Sequence, residues 1–244
     1  MSNSEMEQGL ESTDMTTSVA GAEAAEGAEG AERHQSDPPA RGRRYGGLGQ
    51  AQREQARRAA LIGAATEVFG TLGFRRATVR AVCGLARLND RYFYAAFDNM
   101  EDLLRATYAH HAQALLAQLQ AAIAASEPTL DARLDAGLNA FFAFLRNPHA
   151  ARVLLLEVMG VSPQMDQTYQ RYIFEFAKLI LAMTPVAQRS APLDDEAQAQ
   201  ARIVGLALVG AMTNAGTAWV LTGYQDTQAR MVASCRRVLG GALA

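Results

Sequence analysis

Lysine is almost missing from this chain: Lys178 is the single one among 244 residues, so a GxxxxGK[ST] phosphate loop has nothing to build it. Cysteine is nearly as scarce. Cys83 and Cys235 form no paired metal motif and are expected as reduced core residues. The glycine-rich GGLG at 46–49 lacks the third glycine and the preceding strand that dinucleotide binding needs. His110 and His111 are adjacent, so a helix turns them about 100° apart, whereas structural zinc needs four convergent ligands. No metal, cofactor or catalytic residue is therefore expected, and the enzyme readings fall away. Alternating apolar and polar runs bounded by hairpin turns are also absent, and proline falls at breaks (Pro128, Pro148, Pro163, Pro185, Pro192). The fold class this leaves is all-α.

The first forty residues hold no aromatic side chain and repeat GAEAAEGAEGAE without an apolar face. Such a stretch buries too little surface to offset its ordering entropy, so residues 1–40 are expected to be a disordered acidic tail. They have no basic start, apolar centre or cleavage site of a secretory signal, which implies a cytoplasmic protein.

Charge is unevenly distributed behind the overall balance of −2. Residues 1–40 carry nine acids and one arginine, a net of −8; residues 41–97 carry eleven arginines and three acids, a net of +8; residues 98–244 return to −2. A positive segment of that kind is the electrostatic footprint of nucleic-acid binding. It opens on RGRRYGGLGQ, where Arg41, Arg43 and Arg44 lie among glycines. Residues 41–49 are expected to be a flexible basic arm whose Arg43 and Arg44 enter a minor groove, with a plain solvated linker as the alternative.

Within the same segment, TVRAVCGLARLNDRYFYAAF (78–97) reads as two short helices and a tight turn. Thr78 is a good N-cap for Val79, Val82 and Cys83, and the first helix should stop near Ala86. Asn89 is a second N-cap, with Leu88 as a staple before it and Phe93 and Phe97 on a common inner face. This leaves Asp90, Arg91, Tyr92 and Tyr94 outside, with Arg80 projecting from the first helix. Arginine can bond two acceptors of guanine, tyrosine rings can touch thymine methyls, and hydroxyls can hold phosphates in a major groove. Periodicity alone equally allows a pair of amphipathic surface helices.

Residues 53–104, REQARRAALIGAATEVFGTLGFRRATVRAVCGLARLNDRYFYAAFDNMEDLL, resemble the DNA-binding domain of the TetR family of bacterial one-component transcriptional regulators. The likeness is carried by the apolar series Leu61, Ala65, Val68 and Phe69, by the Gly73-Phe74 turn, by Thr78, and by the ending Phe93-Tyr94-x-x-Phe97. It implies that Thr78 and Tyr94 bind phosphate, that Arg80, Asp90, Arg91 and Tyr92 face bases with Asn89 in the same DNA-binding set, and that Leu88, Phe93 and Phe97 are structural. Three positions depart from the family pattern. Arg87 stands where the turn usually has glycine, so it either takes a left-handed backbone at a cost of roughly 1 kcal/mol or the turn uses another geometry, shifting by a residue. Ala96 and Met100 replace side chains that commonly meet phosphate, so the arm and Arg57 or Arg58 are expected to supply the missing charge.

Beyond the reader, taken as residues 50–97, residues 98–244 are expected to form a helical ligand-binding and dimerisation domain. Its helices are placed at 99–125, 130–147, 149–159, 164–183, 194–222 and 226–240. A cavity for a small apolar effector is expected among Phe141, Phe142, Met159, Tyr169, Phe174 and Trp219. The run from Ile203 to Gln225 has no charged residue and is long enough to span a bilayer, but its threonines, Asn214, glycines and alanines favour a buried helix. Ala207, Ala211 and Ala215 recur every four residues, and with Met231 and Cys235 they are expected at a dimer interface. By resemblance, the last two helices of two subunits form a four-helix bundle. A homodimer would bind a palindromic or near-palindromic duplex DNA operator, act as a repressor, and leave when the effector binds. The competing readings are a helical protein-interaction adaptor whose basic segment binds polyanions nonspecifically, and a membrane-anchored variant of it.

Overall fold

The computed structural model describes residues 44–183 and 194–243, all of whose regular elements are helices. In chain order they are α1 (Arg44–Leu72), a one-turn 3-10 helix (Phe74–Arg76), α2 (Val79–Ala86), α3 (Asp90–Ala96), α4 (Met100–Ala124), α5 (Leu130–Leu145), α6 (Pro148–Leu155), α7 (Pro163–Ala182), α8 (Asp195–Leu221) and α9 (Gln228–Leu243). The expected tail at 1–40 and Arg41 and Arg43 of the arm lie outside the described residues. Helix α1 begins at Arg44, ahead of the start expected near Gln50, so from Arg44 onward the segment read as a flexible arm is helical.

Helix starts follow local chemistry. Thr78, Asn99, Thr129, Asn147, Ser162 and Asp194 each accept a backbone N–H of the first turn, and Pro148 and Pro163 occupy first-turn positions where no N–H is needed. Asn89 occupies the cap position of α3 but its side chain makes no capping bond. The turn between α2 and α3 closes on Arg87, which adopts φ 54°, ψ 41°. Its N–H bonds Gly84 O at 3.3 Å and the Leu88 N–H bonds Cys83 O at 3.0 Å, the paired bonds of a Schellman motif. The helix-turn-helix therefore keeps the left-handed residue that glycine usually supplies.

The described residues 44–183 and 194–243 fall within one unit. One apolar cluster joins Leu61 and Phe69 of α1 and Phe93 of α3 to Leu104 of α4, Val153 of α6 and Met165 of α7. A second joins Leu138 of α5, Met212 of α8 and Leu239 of α9. Helix α8 is long and apolar enough to cross a bilayer, with mean hydropathy 1.5, yet Gly205, Leu208, Met212 and Trp219 are buried within this bundle. Close approach explains Gly70 in α1: a Cβ there would lie 2.5 Å from His149 Cβ and 2.6 Å from its Cα, so α1 and α6 touch almost backbone to backbone.

Candidate nucleic-acid interface

Helix α3 presents a polar face because Phe93 on its other face and Phe97 just past its end are buried. Phe93 and Phe97 pack with ring centroids 5.9 Å apart against α1 and α4, leaving Arg91 and Tyr94 outside. Tyr94 is 63% exposed and its ring stands nearly perpendicular to that of Phe93, centroids 5.2 Å apart. On α2, Arg80 is exposed. Thr78 Oγ1 accepts from Ala81 N–H at 3.2 Å, and as an acceptor there its own hydroxyl hydrogen stays available to a phosphate.

The other expected contacts behave differently. Asp90 is exposed, but its carboxylate also meets the Cys83 thiol; burial first and this carboxylate second push the thiol pKa up. As the first residue of α3 it also sits where a negative charge favours the helix dipole. Tyr92 is half-buried: the Arg57 guanidinium carbon stands 4.3 Å over its ring and that of Arg91 5.6 Å. Asn89 is exposed, and its amide is uncommitted to capping. Arg58, expected as compensating charge, donates from Nη1 to Ala96 O at 2.7 Å and lies 4.2 Å over the Phe97 ring. Ala96 and Met100 pack on the apolar cluster. Nothing is described of the Arg44 side chain, the first residue of α1.

An apolar cavity of about 100 Å³ opens among α4 to α9. Its walls include Tyr108, Leu119, Phe141, Leu155, Tyr169 and Thr213, so two of the six expected residues, Phe141 and Tyr169, line it. Phe142 is buried instead in the second cluster against Trp219, ring centroids 5.4 Å apart. Trp219 donates from Nε1 to Asp226 O at 2.8 Å and so fastens the α8–α9 turn. Met159 lies 69% exposed after α6, and Phe174 is 39% exposed on the outer side of α7. Burial raises the Tyr108 hydroxyl pKa well above its ordinary value, keeping that wall neutral. Sequence reading missed Tyr108 and Thr213, whose helices show them only as one position among many on an apolar face.

The expected interface residues are divided as well. Ala207 is exposed, whereas Ala211, Ala215 and Met231 pack on the second cluster and Cys235 is buried within it. Beyond the polar start of α8, whose exposed residues end with Arg202, the helix turns outward Ile203, Ala207, Gly210, Asn214, Ala218 and Leu221, with Ile203 60% and Leu221 68% exposed.

A link between cavity and reader also escaped the sequence. Glu157, just past α6, accepts the Phe74 N–H through Oε2 at 2.7 Å and Arg152 Nε through Oε1 at 2.6 Å. Gly73 sits beside this pair at φ 80°, and a Cβ on it would come within 3.1 Å of Arg152 Nη2 and 3.3 Å of Glu157 Oε2. The Gly73–Phe74 turn leads directly to Thr78.

This arrangement sets a short helix-turn-helix on a helical bundle. Residues 61–107 match the family described as bacterial regulatory proteins, tetR family. No curated protein matches the chain. Among solved structures, the fatty acid degradation regulator FadR from Bacillus halodurans is similar with TM-score 0.63 and 19% identity, over 76% of this chain and 99% of that one. FadR from Bacillus subtilis, in complex with stearoyl-CoA, gives TM-score 0.64 and 17% identity over 76% and 99%. A transcriptional regulator from Pseudomonas aeruginosa PAO1 gives 0.63 and 21% over 82% and 94%. Residues 61–107 thus match a TetR-type regulatory domain, and the chain shares the helical fold of these solved regulators.

Proposed function

We propose that the protein is a homodimeric repressor whose operator grip is released by a small apolar ligand. The observation that carries this is the sharing of α6: Leu154 and Leu155 line the cavity, and the residues that flank them, Arg152 and Glu157, hold the turn that leads into α2. In the DNA-bound form Arg80, Arg91 and Tyr94 meet bases or backbone from the exposed faces of α2 and α3, while the Thr78 hydroxyl donates to a phosphate. The outward stripe of α8 takes a second copy, giving two heads on a two-fold axis and a site with dyad symmetry.

The ligand is apolar because the cavity walls are. A cavity of about 150 Å³ holds benzene. This one, at about 100 Å³, is smaller, so a larger occupant moves its walls and with them α6. Long acyl chains are the first class to test, given the stearoyl-CoA bound by the Bacillus subtilis FadR. The experiment is a footprint of the full chain on the DNA flanking its own gene, with and without stearoyl-CoA and free fatty acids. A protected dyad is expected. Absence of any protected site in that DNA counts against autoregulation, and a footprint untouched by every apolar ligand of a graded series counts against release.

A further inference from the structure

Helix α3 is too short to hold its own shape: it has seven residues, and isolated helices below about 12–15 residues are marginal. Within it only Phe93 is buried. Its pose therefore depends on what grips it from outside, and two adjacent arginines of α1 do so at its two ends. Near the start, the Arg57 guanidinium carbon lies 4.3 Å over the Tyr92 ring. At the end, Arg58 Nη1 donates 2.7 Å to the carbonyl of Ala96, the last residue of α3, and its guanidinium carbon lies 4.2 Å from the Phe97 centroid. That carbonyl is among the terminal ones a helix leaves without an internal partner, and a cation beside it complements the dipole.

We infer that Arg57 and Arg58 are positioning residues that fix the tilt and roll of the reading helix on α1, and so set the discrimination between operator and other DNA. The inference rests on the reading of α3 as the DNA reader. A phosphate contact would use these side chains as charges. A clamp uses their shape, since a planar guanidinium can lie flat on a ring while aiming an N–H in its plane at a carbonyl, and an ammonium is a point charge that cannot do both. Lysine therefore preserves a phosphate contact and abolishes the clamp.

The test takes a duplex enriched by the wild-type full chain from random-sequence DNA, and a scrambled duplex of equal length and composition. Affinity for both is measured over a salt series for wild type, Arg58→Ala, Arg58→Lys and Arg57→Lys. The clamp is expected to cost both lysine variants roughly 5- to 30-fold on the enriched duplex, a loss of one or two kcal/mol, with little change on the scrambled one. Their salt slopes should match wild type because no charge is removed. Lysine variants that bind like wild type, beside an alanine variant whose loss is equal on both duplexes and whose slope falls by about 0.9, would mean phosphate contact and overturn the inference. Should Arg58→Ala fail to fold, as read by circular dichroism, the two lysine variants still decide between these outcomes. A wild-type chain that enriches no sequence overturns the reading of α3 itself, and the clamp with it.

Discussion

Replacing Glu157 by glutamine tests the wiring between bundle and reader with a change of a single atom. The carboxylate faces two donors, the Phe74 N–H at 2.7 Å and Arg152 Nε at 2.6 Å, and its side chain is 12% exposed against 39% for Arg152. Glutamine offers one carbonyl oxygen and one NH₂, so one donor must face another donor. The amide has little room to turn away, because Gly73 packs against the same oxygens. A hydrogen bond to a charged group contributes about 1.5–3 kcal/mol, and a buried donor left unpaired costs about 1–3 kcal/mol. Water can reach the Arg152 end and recover part of this, so we expect a net loss of about 1–2 kcal/mol. For a chain of this size each kcal/mol lowers Tm by about 2–4 °C, giving a drop of roughly 2–8 °C. Urea unfolding should show a lower midpoint at constant m-value, and hydrogen exchange should quicken in peptides covering the Gly73–Phe74 turn before it changes elsewhere. Unchanged exchange at that turn, with an unchanged midpoint, would refute the claim that Glu157 holds it. A double-mutant cycle with Arg152→Ala separates the Arg152 pair from the Phe74 bond.

Three further changes probe other parts of the fold. His111 shares a 2.8 Å hydrogen bond with Thr66, and burial first, then the neighbouring His110, push its pKa down to about 4. The unfolded chain takes up a proton near pH 6.5 that the folded one refuses until about pH 4, so stability present above 6.5 is lost as pH falls through that window. Subtracting the stability curve of His111→Gln should isolate this slope, and parallel curves would count against it. Gly70→Ala forces a Cβ to within 2.5 Å of His149 Cβ, and we expect net destabilisation because overpacking costs about 1–3 kcal/mol against a helix-propensity gain of about 1; a raised Tm would show that α1 and α6 separate freely. Ala207→Arg places a charge on the outward stripe of α8 and, on the proposed dimer, should give monomer by light scattering, weakening operator binding while leaving helicity intact; a persistent dimer would move the interface elsewhere.

Much of this architecture was legible because it rests on local chemistry. The cap at Thr78 and the breaks at Pro148 and Pro163 mark helix starts wherever the chain goes next, whereas Asn147, read as the end of helix 130–147, caps the following helix, and Asn89 makes no capping bond. The sequence left Arg87 either a left-handed backbone or another turn geometry, and the structure takes the left-handed one. Side-chain direction was less legible. Phe141 and Phe142 are neighbours turned about 100° apart, and both orientations are apolar, so nothing in the sequence says which one lines the cavity. The interface failed for a geometric reason. A step of four residues overshoots a 3.6-residue turn by about 40°, so Ala207, Ala211 and Ala215 spiral from the outside into the core. Ile203, Ala207, Gly210, Asn214, Ala218 and Leu221 mix steps of three and four and stay on one side. The Arg58–Ala96 and Glu157–Phe74 bonds join residues 38 and 83 positions apart, beyond the reach of any local pattern.

The size of the cavity constrains how release can work. A ligand shifts a two-state equilibrium only by its differential affinity for the two states. An apolar molecule small enough for the existing space binds both states alike and leaves DNA binding unchanged, however tightly it is held. One that needs more than about 100 Å³ extends beyond this space, and where it presses on the walls it moves the helices around the cavity, among them α6, whose Leu154 and Leu155 form part of the wall. Since α6 touches α1 at Gly70 and the reader's turn through Glu157, that movement cannot be absorbed inside the bundle alone. Under the proposed release, the coupling free energy between ligand and operator is the difference in the work of widening the cavity between the free and DNA-bound states. Potency in releasing DNA should therefore follow the bulk of the ligand beyond the resting cavity, and should be lost in small molecules that merely fit it.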